Sequence, residues 1–156
     1  MKILFLCTAN SARSQIAEAL LSRKGGGRFD AHSAGSHPAA RVNPMAVAAL
    51  RRVGIDWTGR VPRGTDGLER EPWDLVITVC DNAREACPIF PGQPAMAHWG
   101  MEDPAAATGT DAERQRAFDD ALRLLSRRID LLLALPAEKL DRLTLEQRAR
   151  AISAQD

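Results

Sequence analysis

Lys2-Ile3-Leu4-Phe5-Leu6-Cys7-Thr8-Ala9-Asn10-Ser11-Ala12-Arg13-Ser14 opens the chain with an apolar run, a polar loop and the start of a helical stripe. Lys2 to Leu6 has the length of a strand, and Ser14 to Arg23 places Ile16, Ala17, Leu20 and Leu21 on one helix face. A loop joining a strand end to a helix start presents successive backbone N–H groups and the positive end of the helix dipole, and so cradles an anion. The same field favours thiolate over thiol at Cys7, the Ser14 hydroxyl can donate to the sulfur, and Arg13 offers a planar fork to two anion oxygens. Thr8, Ala9, Asn10, Ser11, Ala12, Arg13 and Ser14 are therefore the expected anion-binding residues, with Cys7 as nucleophile. A cysteine and an arginine six positions apart arise easily by chance. The strand before them, the helix after them and an Asn10 suited to a left-handed turn give the spacing its weight.

Outward from this loop, Gly25-Gly26-Gly27 ends the first helix, and the segment to Ser33 reads weakly as a second strand before Ala34-Gly35. Asn43 is the expected N-cap of a helix with Pro44 at its first position, Ala46, Val47, Leu50 and Val53 on its buried face and Gly54 as its stop. Asp74 to Val79 is a nearly continuous, β-branched run of the kind buried in parallel sheets, and Cys80 follows it. Ala95 to Trp99 is a further short strand, and Gly100 to Gly109 a loop. Thr110 and Glu113 carry a capping-box signature ahead of a helix with Phe118, Ala121, Leu122, Leu125, Ile129 and Leu132 in its core stripe, closed by Pro136. Arg127 and Arg128 read as part of its solvated face. Strands alternating with helices predict an α/β three-layer sandwich around a four-stranded, mainly parallel sheet. Residues 1–135 are expected to form one domain, and 136–156 a helical extension of it.

At 156 residues and 45% hydrophobic, the chain is long enough to bury roughly two thirds of its unfolded surface in one core. Its 21 basic and 20 acidic residues form no long run of one sign, which argues against a nucleic-acid footprint or a membrane-binding patch and for a small-molecule partner. The apolar run at the N-terminus is too short for a signal peptide or a membrane span, so a cytoplasmic location is expected. In a reducing compartment the three cysteines are catalytic, metal-bound or simply buried. Dispersed thiols without paired short spacings disfavour zinc, and no metal site is expected. His32, His37 and His98 have no spacing that sets them beside the Cys7 loop, and His98 and Trp99 read as structural.

The motifs Cys7-Thr-x-Asn-Ser-x-Arg-Ser-Gln with Ala17-Glu18, Ser33-Ala34-Gly35, Val42-Asn43-Pro44, Cys80, Cys87-Pro88-Ile89 and His98-Trp99-Gly100 through Asp103-Pro104-Ala105 occur in this order. Together they resemble the low-molecular-weight phosphatase superfamily, in its arsenate reductase branch recycled by thioredoxin, over roughly residues 1 to 135. The resemblance implies that the strands ending at Leu6 and Val79 are neighbours. Their ends would then lie ~5 Å apart, within the Cα separation that a disulfide tolerates. Asp81 resembles an N-cap and Pro88 a terminator, and a helix between them would hold Cys80 and Cys87 ~10 Å apart until it unwound. A relay is thus expected, in which Cys80 captures Cys7, Cys87 captures Cys80, and an external reductant meets the final disulfide. Without the resemblance, Cys80 and Cys87 read equally well as small buried hydrophobes, and Asp103-Pro104 as an ordinary turn. With it, Asp103 is the general acid.

The implied activity is reduction of arsenate, with phosphate or sulfate as competing anions, thioredoxin as reductant and no organic cofactor. The rivals are a tyrosine phosphatase using the same loop and a non-catalytic redox or anion sensor. Against the phosphatase stand the absence of tyrosine from the chain and Ala105, where that branch has an aromatic residue after its Asp-Pro. Some members of the reductase branch bind potassium beside positions matching Asn10, Glu18 and Ser33. There Arg63 aligns with an aspartate, so its guanidinium is expected to replace the cation, and no potassium is expected.

Overall fold

A computed structural model of the chain describes residues 1–80, 94–136 and 142–154. Four strands, β1 (Lys2–Cys7), β2 (Asp30–Gly35), β3 (Leu75–Thr78) and β4 (Ala95–His98), form one sheet in the order β2-β1-β3-β4. Every pairing is parallel. Ile3, Leu4, Phe5 and Leu6 are all buried although alternate side chains leave opposite faces of the sheet, so both faces are covered, as the run of apolar residues requires. Helices α1 (Arg13–Lys24), α2 (Pro44–Arg52), α3 (Asp111–Leu133) and α4 (Arg142–Ala154) supply the cover. Among the described residues no helix is long and apolar enough to cross a membrane.

Local signals set the helix ends. The Asn43 side chain accepts from the Met45 N–H at 2.9 Å with Pro44 in the first turn, and Gly54, just past α2, takes φ +83°. Thr110 and Glu113 form both bonds of a capping box at the start of α3. α4 buries Leu145, Ala149 and Ile152 and lies against β4, where the Met96 N–H donates to Glu146 at 3.1 Å. The fully buried Trp99 ties the two together, its indole N–H donating to the Ala149 carbonyl at 2.9 Å.

One expectation about α3 is overturned. Arg127 is exposed, but Arg128 is only 4% exposed and donates to the carbonyls of Trp99 and Gly100 at 3.1 and 3.4 Å. Arg128 shares a helix face with Ala121, Leu125 and Leu132, and its guanidinium satisfies backbone acceptors that packing has taken from water.

Candidate active site

In the order β2-β1-β3-β4 the strand order reverses between β1 and β3, and in open α/β sheets ligands bind beyond the carboxyl ends of the strands at such a point. Cys7 ends β1. Leu6 pairs with Thr78, the Val79 N–H donates to the Leu6 carbonyl at 2.8 Å, and Cys80 follows at the rim. The neighbouring strands implied by the resemblance are therefore present. The Cys80 sulfur lies 3.3 Å from the Thr8 hydroxyl, so the second thiol touches the loop that the first one starts. Cys87 lies outside the described residues.

The loop from Cys7 to Arg13 is held from behind. Carbonyls of Cys7, Thr8, Ala9 and Ser11 accept the N–H groups of Ser36, His37, Ala39 and Asn43 at 3.2, 2.8, 2.9 and 2.8 Å. A peptide carbonyl and the N–H of the same unit point in opposite directions, so drawing these carbonyls outward turns loop N–H groups inward, toward the start of α1. Asn10 takes φ +51°, a left-handed conformation that asparagine accepts more readily than bulkier residues, and it is fully buried. Its N–H reaches the Cys7 sulfur at 3.1 Å and its side-chain NH2 donates to the Ser14 hydroxyl at 2.7 Å, itself 2.8 Å from that sulfur. Its Oδ1 accepts from the Gln15 amide at 3.0 Å and the Arg63 N–H at 2.8 Å, and the Trp57 indole N–H donates to Gln15 Oε1 at 2.8 Å. Gln15 entered the sequence reading only as the end of the loop motif and Trp57 not at all, because only the fold shows their bonds around Asn10.

Gly35, at the end of β2, touches the same loop. A Cβ there would stand 2.4 Å from the Thr8 carbonyl oxygen and 2.8 Å from the Asn10 nitrogen, so glycine is required by proximity rather than by its dihedral angles.

Above the loop lies a cleft of about 560 Å³ lined by Thr8, Arg13, Cys80, Met101 and Asp103. Arg13 donates to the Met101 carbonyl at 3.0 Å and stands 3.8 Å from the Asp103 carboxylate, which brings the expected anion fork and the expected acid face to face. Asp103 also caps the short 3-10 turn Pro104–Ala106 by accepting the Ala105 N–H at 3.0 Å. Its other oxygen faces Arg13. Of the histidines, His37 meets the loop only through its backbone N–H, and His98 pairs with the Thr78 hydroxyl at 2.7 Å.

Burial corrects one expectation. With Cys7 only 3% exposed, desolvation pushes its thiol above the ordinary range. Hydrogen bonds from Ser14 and the Asn10 N–H pull it back, neighbouring Cys80 adds to the rise, and the net direction is up. In anion-free protein, alkylation of Cys7 by iodoacetamide should thus accelerate with pH up to and beyond the usual thiol pKa of about 8.5. A half-point below pH 7 would contradict the burial argument. The raised pKa also means that this group's contribution to stability is complete below the unfolded value and is lost as pH climbs through the folded one.

Arg63 pairs through its guanidinium with Glu71 at 2.5 Å, and Arg60, stacked 4.0 Å over the Trp57 ring, is the nearer cation to Glu18 at 3.8 Å, with the charge of Arg63 acting on Glu18 as well. Glu18 accepts from Ser33 at 2.6 Å. Burial holds its carboxyl above the ordinary range, moderated by that bond and by Arg60. Arg63 serves the site through its backbone, donating to Asn10 and accepting the Gly35 N–H at 2.9 Å. Among the described residues no group of three or more His, Cys, Asp or Glu side chains converges as a metal site.

The family model described as low molecular weight phosphotyrosine protein phosphatase matches residues 2–142. The chain belongs to this family. Within it, the chain is 42% identical over 116 residues to an arsenate reductase of Halalkalibacterium halodurans and 40% identical over 116 residues to one of Bacillus subtilis, in each case covering 74% of this chain and 83% of the relative. A solved arsenate reductase in a phosphate-binding state superposes with a TM-score of 0.68 at 28% identity, covering 85% of this chain and 96% of that one. A thioredoxin-dependent arsenate reductase of Corynebacterium glutamicum does so with a TM-score of 0.59 at 33% identity, over 83% of this chain and 62% of its own. A low-molecular-weight tyrosine phosphatase from T. tengcongensis has the same fold, with a TM-score of 0.72 at 24% identity. Among these proteins the arsenate reductases have the higher sequence identity to this chain.

Proposed function

We propose that this chain reduces arsenate to arsenite through a relay of Cys7, Cys80 and Cys87, in the cytoplasm, with thioredoxin restoring the thiols. The observation that carries the proposal is the contact of the Cys80 sulfur with Thr8, which sets a second thiol at the rim of the loop that holds the nucleophile. Arg13 and the loop N–H groups bind the oxyanion. A basic arsenate oxygen takes the Cys7 proton that burial has kept on sulfur, sulfur bonds to arsenic, and a water leaves with Asp103 assisting as acid. Cys80 then attacks the Cys7 sulfur. The S–As bond breaks with its electron pair on arsenic, arsenic goes from V to III, and two thiols become one disulfide, which accounts for both electrons. Cys87 displaces Cys7 from Cys80, and the thioredoxin dithiol reduces the Cys80–Cys87 pair.

Phosphate and sulfate are tetrahedral and should compete with arsenate. A weak aryl-phosphatase activity is the second reading, favoured by a cradle that suits phosphate equally. Arsenite release measured with thioredoxin, thioredoxin reductase and NADPH separates the readings: turnover is lost in Cys7→Ser, Cys80→Ser and Cys87→Ser. Full thioredoxin-dependent turnover in Cys80→Ser and Cys87→Ser would rule out the relay.

The oxygens matching a potassium site do not suit one. Asn10 Oδ1 already accepts two N–H donors, Glu18 accepts from Ser33, and Arg60 lies beside Glu18. Exchanging sodium for potassium at constant ionic strength should leave Tm within about 1 °C, since a bound cation would stabilise the fold by mass action. A clear rise in Tm with potassium would overturn this reading.

A further inference from the structure

We infer that Arg128 is a positioning residue for the acid at the active site, holding the backbone that carries Asp103 from the core side while Arg13 holds it from the anion side. The inference rests on the proposed role of Asp103. β4 ends at His98, and residues 99–103 have neither helix nor strand to fix them. Three successive carbonyls in this stretch are held instead by two guanidinium groups. Arg128 donates to Trp99 at 3.1 Å and to Gly100 through both of its terminal nitrogens at 3.4 Å, and Arg13 donates to Met101 at 3.0 Å. Two residues on, the Asp103 carboxylate stands 3.8 Å from Arg13.

Arg128 is suited to this role by its place in the fold. It projects from α3, the helix packed against the Pro104–Ala106 turn that Asp103 caps, and it is 4% exposed. The helix, the clamp and the acid therefore move together. The first residue of the clamped stretch is anchored as well, because the Trp99 indole is bonded to Ala149 in α4 and the Trp99 N–H donates to the Thr78 carbonyl at 2.7 Å. A planar fork spans two adjacent carbonyls where a lysine would satisfy one, so the geometry calls for arginine rather than for charge alone.

The expected phenotype is selective. The anion cradle is built from residues 7–15, 35 and 63, whereas the Arg128 bonds described above go to Trp99 and Gly100, so phosphate should still bind and Cys7 should still be alkylated at the wild-type rate. The step that needs the acid should slow. Single-turnover arsenite release from reduced protein, at saturating arsenate and without thioredoxin, should fall at least tenfold in Arg128→Met, with the half-saturating arsenate concentration changed less than threefold. Arg128→Lys keeps a cation in the core and should fall between the two, which preserves the test if Arg128→Met folds poorly.

A double-mutant cycle with Asp103→Asn decides the matter. If Arg128 acts through Asp103, adding Arg128→Lys to Asp103→Asn slows single turnover no further. Additive losses, or wild-type rates in both Arg128 variants, overturn the inference while leaving Asp103 as the acid. A wild-type rate in Asp103→Asn removes the acid reading itself, and the inference with it.

Discussion

Replacing Cys80 with serine should lower thioredoxin-dependent arsenite release by at least about a thousandfold while leaving phosphate binding within a few-fold of wild type, because members of one covalent unit are not separable contributions to rate. In the proposed relay the oxyanion contacts belong to Arg13 and the loop amides, which the substitution leaves in place; it alters the contact with the Thr8 hydroxyl. What is lost is the thiol whose sulfur meets Thr8 at 3.3 Å, and a serine oxygen cannot accept the Cys7 sulfur as a disulfide partner. The Cys7 adduct should then persist until water resolves it, returning arsenate rather than arsenite. Arsenate-oxygen exchange with labelled water, in the absence of arsenite, is the signature to measure. Substantial arsenite release from Cys80→Ser would mean that the electrons come from elsewhere.

Gly35→Ala should also damage the chemistry, though less severely and for a steric reason. The added methyl meets the Thr8 carbonyl oxygen at 2.4 Å, the Asn10 nitrogen at 2.8 Å and the Asn10 Cβ at 3.0 Å. None of these is the free end of a flexible side chain, so the loop itself must move. The Asn10 N–H is the one that reaches the Cys7 sulfur, and the Thr8 carbonyl is fixed by His37. Overpacking of this kind costs about 1–3 kcal/mol, and a displacement of ~1 Å at a reacting group about a hundredfold in rate. Single-turnover arsenite release should accordingly fall about a hundredfold, with a lower Tm. Gly64→Ala is the control, since the nearest atom to its Cβ is Pro38 Cγ at 3.7 Å and the change should be close to neutral. Rates within twofold of wild type in Gly35→Ala would show that the loop tolerates the shift.

Much of this fold was legible because its signals are local. The β1-loop-α1 pattern, the Asn43-Pro44 helix start and the Thr110/Glu113 box depend on neighbours within four residues, and the structure has each of them. β2 was weak in the sequence because Asp30-Ala31-His32 carries little apolar or β-branched weight. It is a strand because every residue from Asp30 to Gly35 pairs with β1. The misread features are those set by long-range packing. Arg128 looked solvated beside Arg127, although the spacing 121, 125, 128, 132 places it on the buried stripe of α3. Arg63 and Arg60 could not be told apart by alignment, since which guanidinium turns to Glu18 depends on where Glu71 and the Trp57 ring lie. The rise in the Cys7 pKa was missed because the helix dipole is visible in sequence and the depth of burial is not. At the site, the loop and Arg13 were readable from their setting between a strand and a helix, since the spacing alone is a weak signal. Asp103 was named only through the family resemblance, and the fold brings its carboxylate opposite Arg13.

The central claim is that the electrons reducing arsenic come from Cys7 and Cys80. It is tested most directly in Cys87→Ser, fully reduced, mixed with one equivalent of arsenate in the absence of thioredoxin, quenched with acid and mapped by peptide mass spectrometry. The relay predicts one equivalent of arsenite per chain together with a disulfide joining the peptides of Cys7 and Cys80. Arsenite without that disulfide, or no arsenite with both thiols still free, would contradict it.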